Sequence, residues 1–266
     1  MRRFTAEYLE RTRRGLWESR TALSGLDLGR RERVLDVGCG TGQLTGVLDA
    51  ETPADATVVG CDAVTELLSV ARAETDAVTV GGDATRLPFP DDAFDCVVCQ
   101  ALLINLPDPA AAVEEFARVS ADVVAAVEPN NAEVSVSSTV DAESGLEARL
   151  RDAYLDGVDT DVALGERVRD LFEATGLTSL SARTRYHEKR VAPPYSEAAL
   201  RSAAKKASGE GVTAHERELR AALSDAAYDA LRSEWRAMGR DVVAAMRDGE
   251  YERVEVVPFE VTVGTV

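Results

Sequence analysis

Hydrophobic positions along this chain follow two alternating rhythms. Short, nearly unbroken apolar runs fall at Arg33–Val37, Thr57–Asp62, Ala77–Asp83, Phe94–Cys99 and Ala121–Pro129, which is how strands buried on both faces read. Between them apolar residues return at helical spacing: Leu44, Val47 and Leu48, then Val64, Leu67, Leu68 and Ala71, then Val113, Phe116 and Ala117. Pro107-Asp108-Pro109 announces the last of these helices, with Asp108 as its cap and Pro109 in its first turn. Strands alternating with helices predict an α/β fold, a doubly wound parallel sheet with helices on both faces and right-handed crossovers.

The rhythm continues past the fifth strand. A helix is predicted over Leu164–Thr175, stopped by Gly176, and a strand over Leu177–His187. The chain closes on the β-rich "ERVEVVPFEVTVGTV", where Pro258 predicts a bulge or a sheet edge. Between those strands, Val191 to Gly249 reads as helical throughout. Ser196 and Thr213 are candidate caps, and Thr213 to Glu216 has capping-box spacing. Leu219, Leu223, Ala226, Leu231, Trp235, Met238, Val242 and Met246 form an apolar stripe. The predicted organisation is an N-terminal helical cap over 1–32, a core over 33–190 interrupted by a cap segment at 130–162, a helical insertion over 191–249, and a last core strand over 250–266.

Composition narrows the setting. The chain has 266 residues, 45% hydrophobic, and a net charge of −17. Its acid is spread along the chain, and its 30 basic residues include only three lysines, Lys189, Lys205 and Lys206. Such a surface is expected of a protein working in molar salt, where self-repulsion is screened, so a halophilic source is expected. Nucleic-acid binding by a basic face finds no support in this balance. No apolar run approaches a membrane span, and the opening "MRRFTAEYLERTRR" is too charged for a secretory signal. A cytoplasmic protein with no metal is expected. Cys39, Cys61, Cys96 and Cys99 all sit in or beside predicted strands and read as reduced core thiols.

Chemistry concentrates at Val34 to Gly42, "VLDVGCGTG", where a strand runs into a helix through glycines at alternate positions. Ligands of open α/β sheets bind at such strand ends. The dinucleotide fingerprint G-x-G-x-x-G is absent: Gln43 stands where its third glycine would fall, which disfavours a nicotinamide dehydrogenase. Asp62 closes the second strand, where a carboxylate can accept from both hydroxyls of a ribose. Asp83-Ala84 closes the third, where a carboxylate can accept from an adenine amine, with Leu87 and Phe89 as an apolar wall.

These residues, with "GCD" at Gly60–Asp62, "GDATRLPFPDDAFDCVV" and "LPDP", resemble the class I S-adenosylmethionine-dependent methyltransferases, in particular the small-molecule group that includes quinone-biosynthesis enzymes. The resemblance covers about Val34 to Pro129. It implies a Rossmann-like, seven-stranded, mostly parallel sheet whose antiparallel last strand inserts between the fifth and sixth. It also implies S-adenosyl-L-methionine as cofactor, with S-adenosyl-L-homocysteine as product. Gly38, Cys39, Gly40 and Gly42 would shape the loop beside the methionine part, supported by Asp36. Asp62 and Ala63 would hold the ribose, Asp83 and Ala84 the adenine edge, and Gln100 would lie near the methionyl moiety.

In that topology the segments 130–162 and 191–249 are expected to emerge over the site. With an N-terminal helix bearing Phe4, Tyr8 and Trp17, they would form a cap around a small-molecule acceptor, the alternative being an oligomerisation arm of a homodimer. His187, ending the sixth strand, is the candidate general base, while His215 is expected to be solvated in a capping turn. Tyr8, Trp17, Tyr195 and Trp235 are candidate acceptor contacts, with Tyr154 and Tyr186 behind them. Strand four is followed by "QALLINLPDP", without the N-P-P-[YF] of amino-methylating nucleic-acid enzymes. The expected function is methyl transfer to a small molecule; the alternatives are a protein or tRNA methyltransferase and a non-catalytic binding module.

Overall fold

The computed structural model describes residues 5, 6, 9, 16–18 and 20–266. Phe4 and Tyr8 lie outside the described residues. The apolar runs become strands β1 (Arg33–Val37), β2 (Thr57–Asp62), β3 (Val78–Gly81), β4 (Phe94–Gln100) and β5 (Ser120–Pro129). They pair in parallel in the order β3-β2-β1-β4-β5. Leu35 stands opposite Val59 on one side and Val97 on the other, and all three are buried. That burial on both faces is why the strands read as continuous rather than alternating.

Helices α1 (Gln43–Glu51), α2 (Thr65–Glu74), α3 (Pro109–Val119), α4 (Asp141–Gly157) and α5 (Val168–Thr175) follow in chain order. Asp108 caps α3 by accepting from the Ala111 N–H at 3.1 Å, and Gly176 ends α5 with φ +91°. Val113 and Phe116 of α3 and Val168 and Phe172 of α5 share one core with Leu35, Val97 and Val124 of the sheet.

Among the described residues there are eight strands rather than seven. The short β6 (Ser135–Ser138) carries no apolar run to announce it, and it exists by pairing with the first part of the last strand. The sixth predicted strand is β7 (Thr178–Val191), and the last is β8 (Arg253–Thr265). From Phe259 onward β8 runs antiparallel to β5, and β7 pairs with β8. The last strand thus inserts where the sequence resemblance implied. Pro258 lies between the β8 residues that pair with β6 and those that pair with β5, a position that needs no ladder donor.

The chain divides into two compact units, one of residues 1–129, 164–185 and 259–266, the other of residues 130–163 and 186–258. The first holds the parallel sheet. The second contains α4, β6, and helices α6 (Glu197–Ser208), α7 (Glu210–Thr213), α8 (Glu216–Ala222) and α9 (Asp225–Asp248). Its core gathers Leu146, Val212, Leu219, Tyr228, Leu231, Trp235, Met238 and Val242. Ser196 caps α6 through the Ala199 N–H, as expected. Thr213 does not cap: it ends α7, and its hydroxyl donates to the carbonyls of Gly209 and Glu210. The predicted stripe also breaks, because Ser224 caps a new helix and resets the phase, leaving Ala226 exposed and Tyr228 buried. Glu143, fully buried, is satisfied by Lys206, by the Tyr251 hydroxyl at 2.9 Å and by Ser138 at 2.5 Å, the pairing a buried carboxylate requires. No helix among the described residues is long and apolar enough to cross a membrane.

Candidate functional site

Where β1 ends, the backbone must turn sharply to enter α1, and three glycines take it there with φ of +72° at Gly38, +56° at Gly40 and +83° at Gly42. L-residues pay about 1–2 kcal/mol for that left-handed region. Gly38 has a second reason: a Cβ there would lie 2.8 Å from Leu102 Cδ1. The loop is pinned to β2, because the Gly38 and Cys39 N–H groups both donate to the Cys61 carbonyl, at 2.7 and 3.1 Å. Below it, buried Asp36 accepts from the Thr45 hydroxyl at 2.6 Å, tying β1 to the first turn of α1. Cys39 packs inward beside Gly60, whose missing Cβ leaves room for the sulfur.

Asp62 ends β2 and is half-buried. Its Oδ2 accepts from the Gly40 N–H at 2.9 Å and its Oδ1 from the Val64 N–H at 2.8 Å. One carboxylate therefore fixes the apex of the glycine loop and the entry to α2. Between these elements opens a cleft lined by Gly38, Gly40, Asp62, Leu67, Ala84 and Leu102 among others. Apolar walls with few polar groups are what a small-molecule site requires. The field in it is negative. Burial, and then Asp62, Asp36 and Asp83, push the Cys61 thiol up to about 12.

The predicted residues fall unevenly around this cleft. Gly38, Gly40, Asp62, Ala63 and Ala84 line it. Asp36, Cys39 and Gly42 support the loop from behind, and Gly42 packs against Ala71 of α2. Asp83 stands beside the lining residues Gly82 and Ala84. It is exposed, and its Oδ1 accepts from the Thr85 N–H and hydroxyl, both at 2.9 Å, which holds its carboxyl below the usual range. Gln100 is buried at the end of β4, where its Oε1 accepts from Trp17 Nε1 at 3.2 Å; neither residue is among those lining the cleft.

The remaining acceptor and base candidates belong to the second unit. Trp235 is buried in the helical core. The Tyr195 hydroxyl donates to the Tyr251 carbonyl and accepts from its N–H, both at 3.0 Å. Both have packing roles there. His187 is half-buried on β7. His215 is half-buried in the turn before α8, where it also stacks edgewise on Tyr154 with centroids 4.9 Å apart.

Among the cleft residues that the sequence did not mark as site residues are Ala101, Leu102 and Asn105, all from the turn after β4. Behind that turn is Glu128, fully buried at the end of β5. It accepts from the N–H groups of Leu102 and Leu103 at 2.9 Å and of Ile104 at 3.4 Å. Burial, opposed by those bonds, pushes its carboxyl up to about 7. The available signal was one acid closing the apolar run Val123–Val127.

Comparison with known proteins agrees with this geometry. Residues 35–122 match a family of methyltransferase domains. Over 104 residues the chain is 40% identical to a demethylmenaquinone methyltransferase of Mycobacterium sp. (strain KMS), a match covering 39% of this chain and 43% of that protein. Over 110 residues it is 36% identical to the demethylmenaquinone methyltransferase of Lactiplantibacillus plantarum, covering 39% and 46%. The chain spans less than half the length of these relatives. Among solved structures it resembles the YcgJ protein from Bacillus subtilis, with TM-score 0.52 and 17% identity over 92% of this chain and 98% of that one, a likeness of fold. Glycine loop, strand order and sequence match converge on one region: residues 35–122 match a methyltransferase domain, set in a Rossmann-like, mostly parallel sheet.

Proposed function

We propose that this protein transfers a methyl group from S-adenosylmethionine to a small-molecule acceptor. The observation that carries the reading is the cleft: approachable backbone at Gly38 and Gly40, a carboxylate at Asp62, and an apolar slot between Leu67, Ala84 and Leu102. A nucleoside with its ribose on Asp62 and its base in the slot matches that succession of surfaces. Each Asp62 oxygen accepts a single backbone N–H among the described residues, so each keeps a lone pair for one hydroxyl of a vicinal diol. Both bonds to Asp83 fall on Oδ1, which leaves Oδ2 for an adenine amine. The Thr41 hydroxyl, buried in the loop with no partner among the described residues, fits a polar group at the amino-acid end of the donor. Gln100 and Trp17 we assign jointly to the neighbourhood of the methionyl moiety.

Bound there, S-adenosylmethionine supplies a methyl carbon made electrophilic by a positive sulfur, transferred by in-line displacement. The negative field of Asp36, Asp62 and Asp83 favours such a cation. The chain's own task is to hold donor and acceptor in line, worth up to ~7–11 kcal/mol when the fit is good.

The relatives' names extend this reading to a quinone-type acceptor. Incubation with methyl-labelled donor and, separately, demethylmenaquinone, bulk tRNA and a protein extract tests it. Label recovered in the quinone supports the reading. Label in tRNA or protein overturns the acceptor assignment, and donor binding without turnover on a broad acceptor panel favours a binding module. His187 remains our candidate base: His187→Gln is expected to lower kcat at least about tenfold, and a smaller loss removes it from proton transfer.

We also propose that the protein works in the cytoplasm of a cell with high internal salt. Dilution from about 2 M KCl to below about 0.1 M, where the Debye length reaches ~10 Å, is expected to unfold it as acidic self-repulsion returns. Circular dichroism unchanged across that dilution would contradict the salt dependence.

A further inference from the structure

Ala101 adopts a left-handed conformation, φ +48°, although it carries a Cβ. Such a residue persists only where its surroundings over-determine it. Here its N–H donates to the Val127 carbonyl at 2.9 Å, and its carbonyl accepts from Asn105 Nδ2 at 2.7 Å. The next three amides, Leu102, Leu103 and Ile104, precede or open a 3-10 turn, Leu103–Asn105, and so lack partners of their own within it. All three donate to the Glu128 carboxylate, which reaches them from the neighbouring strand. The same turn presents Ala101, Leu102 and Asn105 to the cleft, and Leu102 is the residue that Gly38 must be glycine to accommodate.

The geometry points to Glu128 as a positioning residue: by anchoring three successive amides it fixes the post-β4 turn in the shape that forms one wall of the donor cleft. This rests on the donor reading given under Proposed function. Glu128 itself is fully buried and is not among the residues lining the cleft. Its surroundings are the Cys99 thiol, which donates to it at 3.6 Å from β4, and Glu260, which stands opposite it in the β5–β8 ladder and accepts from the Thr184 hydroxyl at 2.9 Å. Protonation places a hydrogen on one oxygen and removes an acceptor from the amides. Because burial already pushes this carboxyl up to about 7, the wall is expected to loosen as pH falls from 8 to 6.

Glu128→Gln keeps the shape and one acceptor oxygen but sets an NH2 against an amide. Its expected effects are amide hydrogen exchange at 102–104 at least tenfold faster, and a Kd for S-adenosylhomocysteine raised at least tenfold. The donor KM should rise similarly, with kcat at saturating donor within about threefold of wild type. Wild-type affinity should fall between pH 8 and pH 6 while that of Glu128→Gln stays flat. A second variant, Asn105→Ala, releases the turn from its other end and should also quicken exchange there. Unchanged exchange at 102–104 in both variants would overturn the role. So would an unchanged Kd and pH profile in Glu128→Gln. Exchange requires no ligand, so failure of the wild type to bind S-adenosylhomocysteine would count against the donor reading alone.

Discussion

Replacing Asp62 with alanine is expected to weaken S-adenosylhomocysteine binding by at least about a hundredfold. The side chain has two duties. In the proposed complex it accepts two charge-assisted hydrogen bonds from the ribose, each worth about 1.5–3 kcal/mol, and about 1.4 kcal/mol is a factor of ten. It also accepts the Gly40 and Val64 N–H groups, so its loss frees the loop apex and strands two donors. Asp62→Asn separates the duties. The amide can accept from one backbone N–H but faces the other with its own, so its loss in affinity should fall between wild type and alanine. Titration of each variant against S-adenosylhomocysteine checks this, and an alanine variant binding within threefold of wild type would remove Asp62 from the site.

The second large effect concerns stability. Gly239 lies inside α9, where alanine is ordinarily about 1 kcal/mol better than glycine. Here the sign should reverse. A Cβ at Gly239 would stand 2.3 Å from the Ala207 nitrogen and 2.4 Å from the Lys206 carbonyl carbon, backbone atoms of α6 that cannot rotate away. Gly239→Ala is therefore expected to cost about 3 kcal/mol, the upper part of the range for overpacking. The chain has two tryptophans, so in a Trp17→Phe background the fluorescence of Trp235 reports on the helical core alone. A urea midpoint lower than that of the parent is expected; an equal or higher one would contradict the close helix crossing.

Much of the first unit was legible because its strands are buried on both faces. An apolar run such as Thr57–Asp62 has few other fates, and β2 covers those same residues. The glycine loop was legible because positive φ is written in the sequence as glycine. The turn after β4 was not, since its left-handed residue is Ala101 and its anchor, Glu128, comes from another strand. No local pattern connects the two. In the helical unit, periodicity gave helices but not their phases. Thr213 has the spacing of a capping box yet ends a helix, because the turn at His215 intervenes and the next helix starts afresh. Trp235 and Tyr195 were drawn toward the acceptor by residue type; the burial of Trp235 and the Tyr195–Tyr251 bonds answer to packing.

In the proposed function, the cleft at Gly38, Gly40 and Asp62 binds the methyl donor. Calorimetric titration of the folded protein in about 2 M KCl, first with S-adenosylhomocysteine and then with NAD, tests it most directly, since salt at that level screens the acidic surface. Micromolar binding of S-adenosylhomocysteine, lost in Asp62→Ala and absent for NAD, is the predicted result. Folded protein that leaves S-adenosylhomocysteine unbound, or that takes NAD in its place, would contradict it.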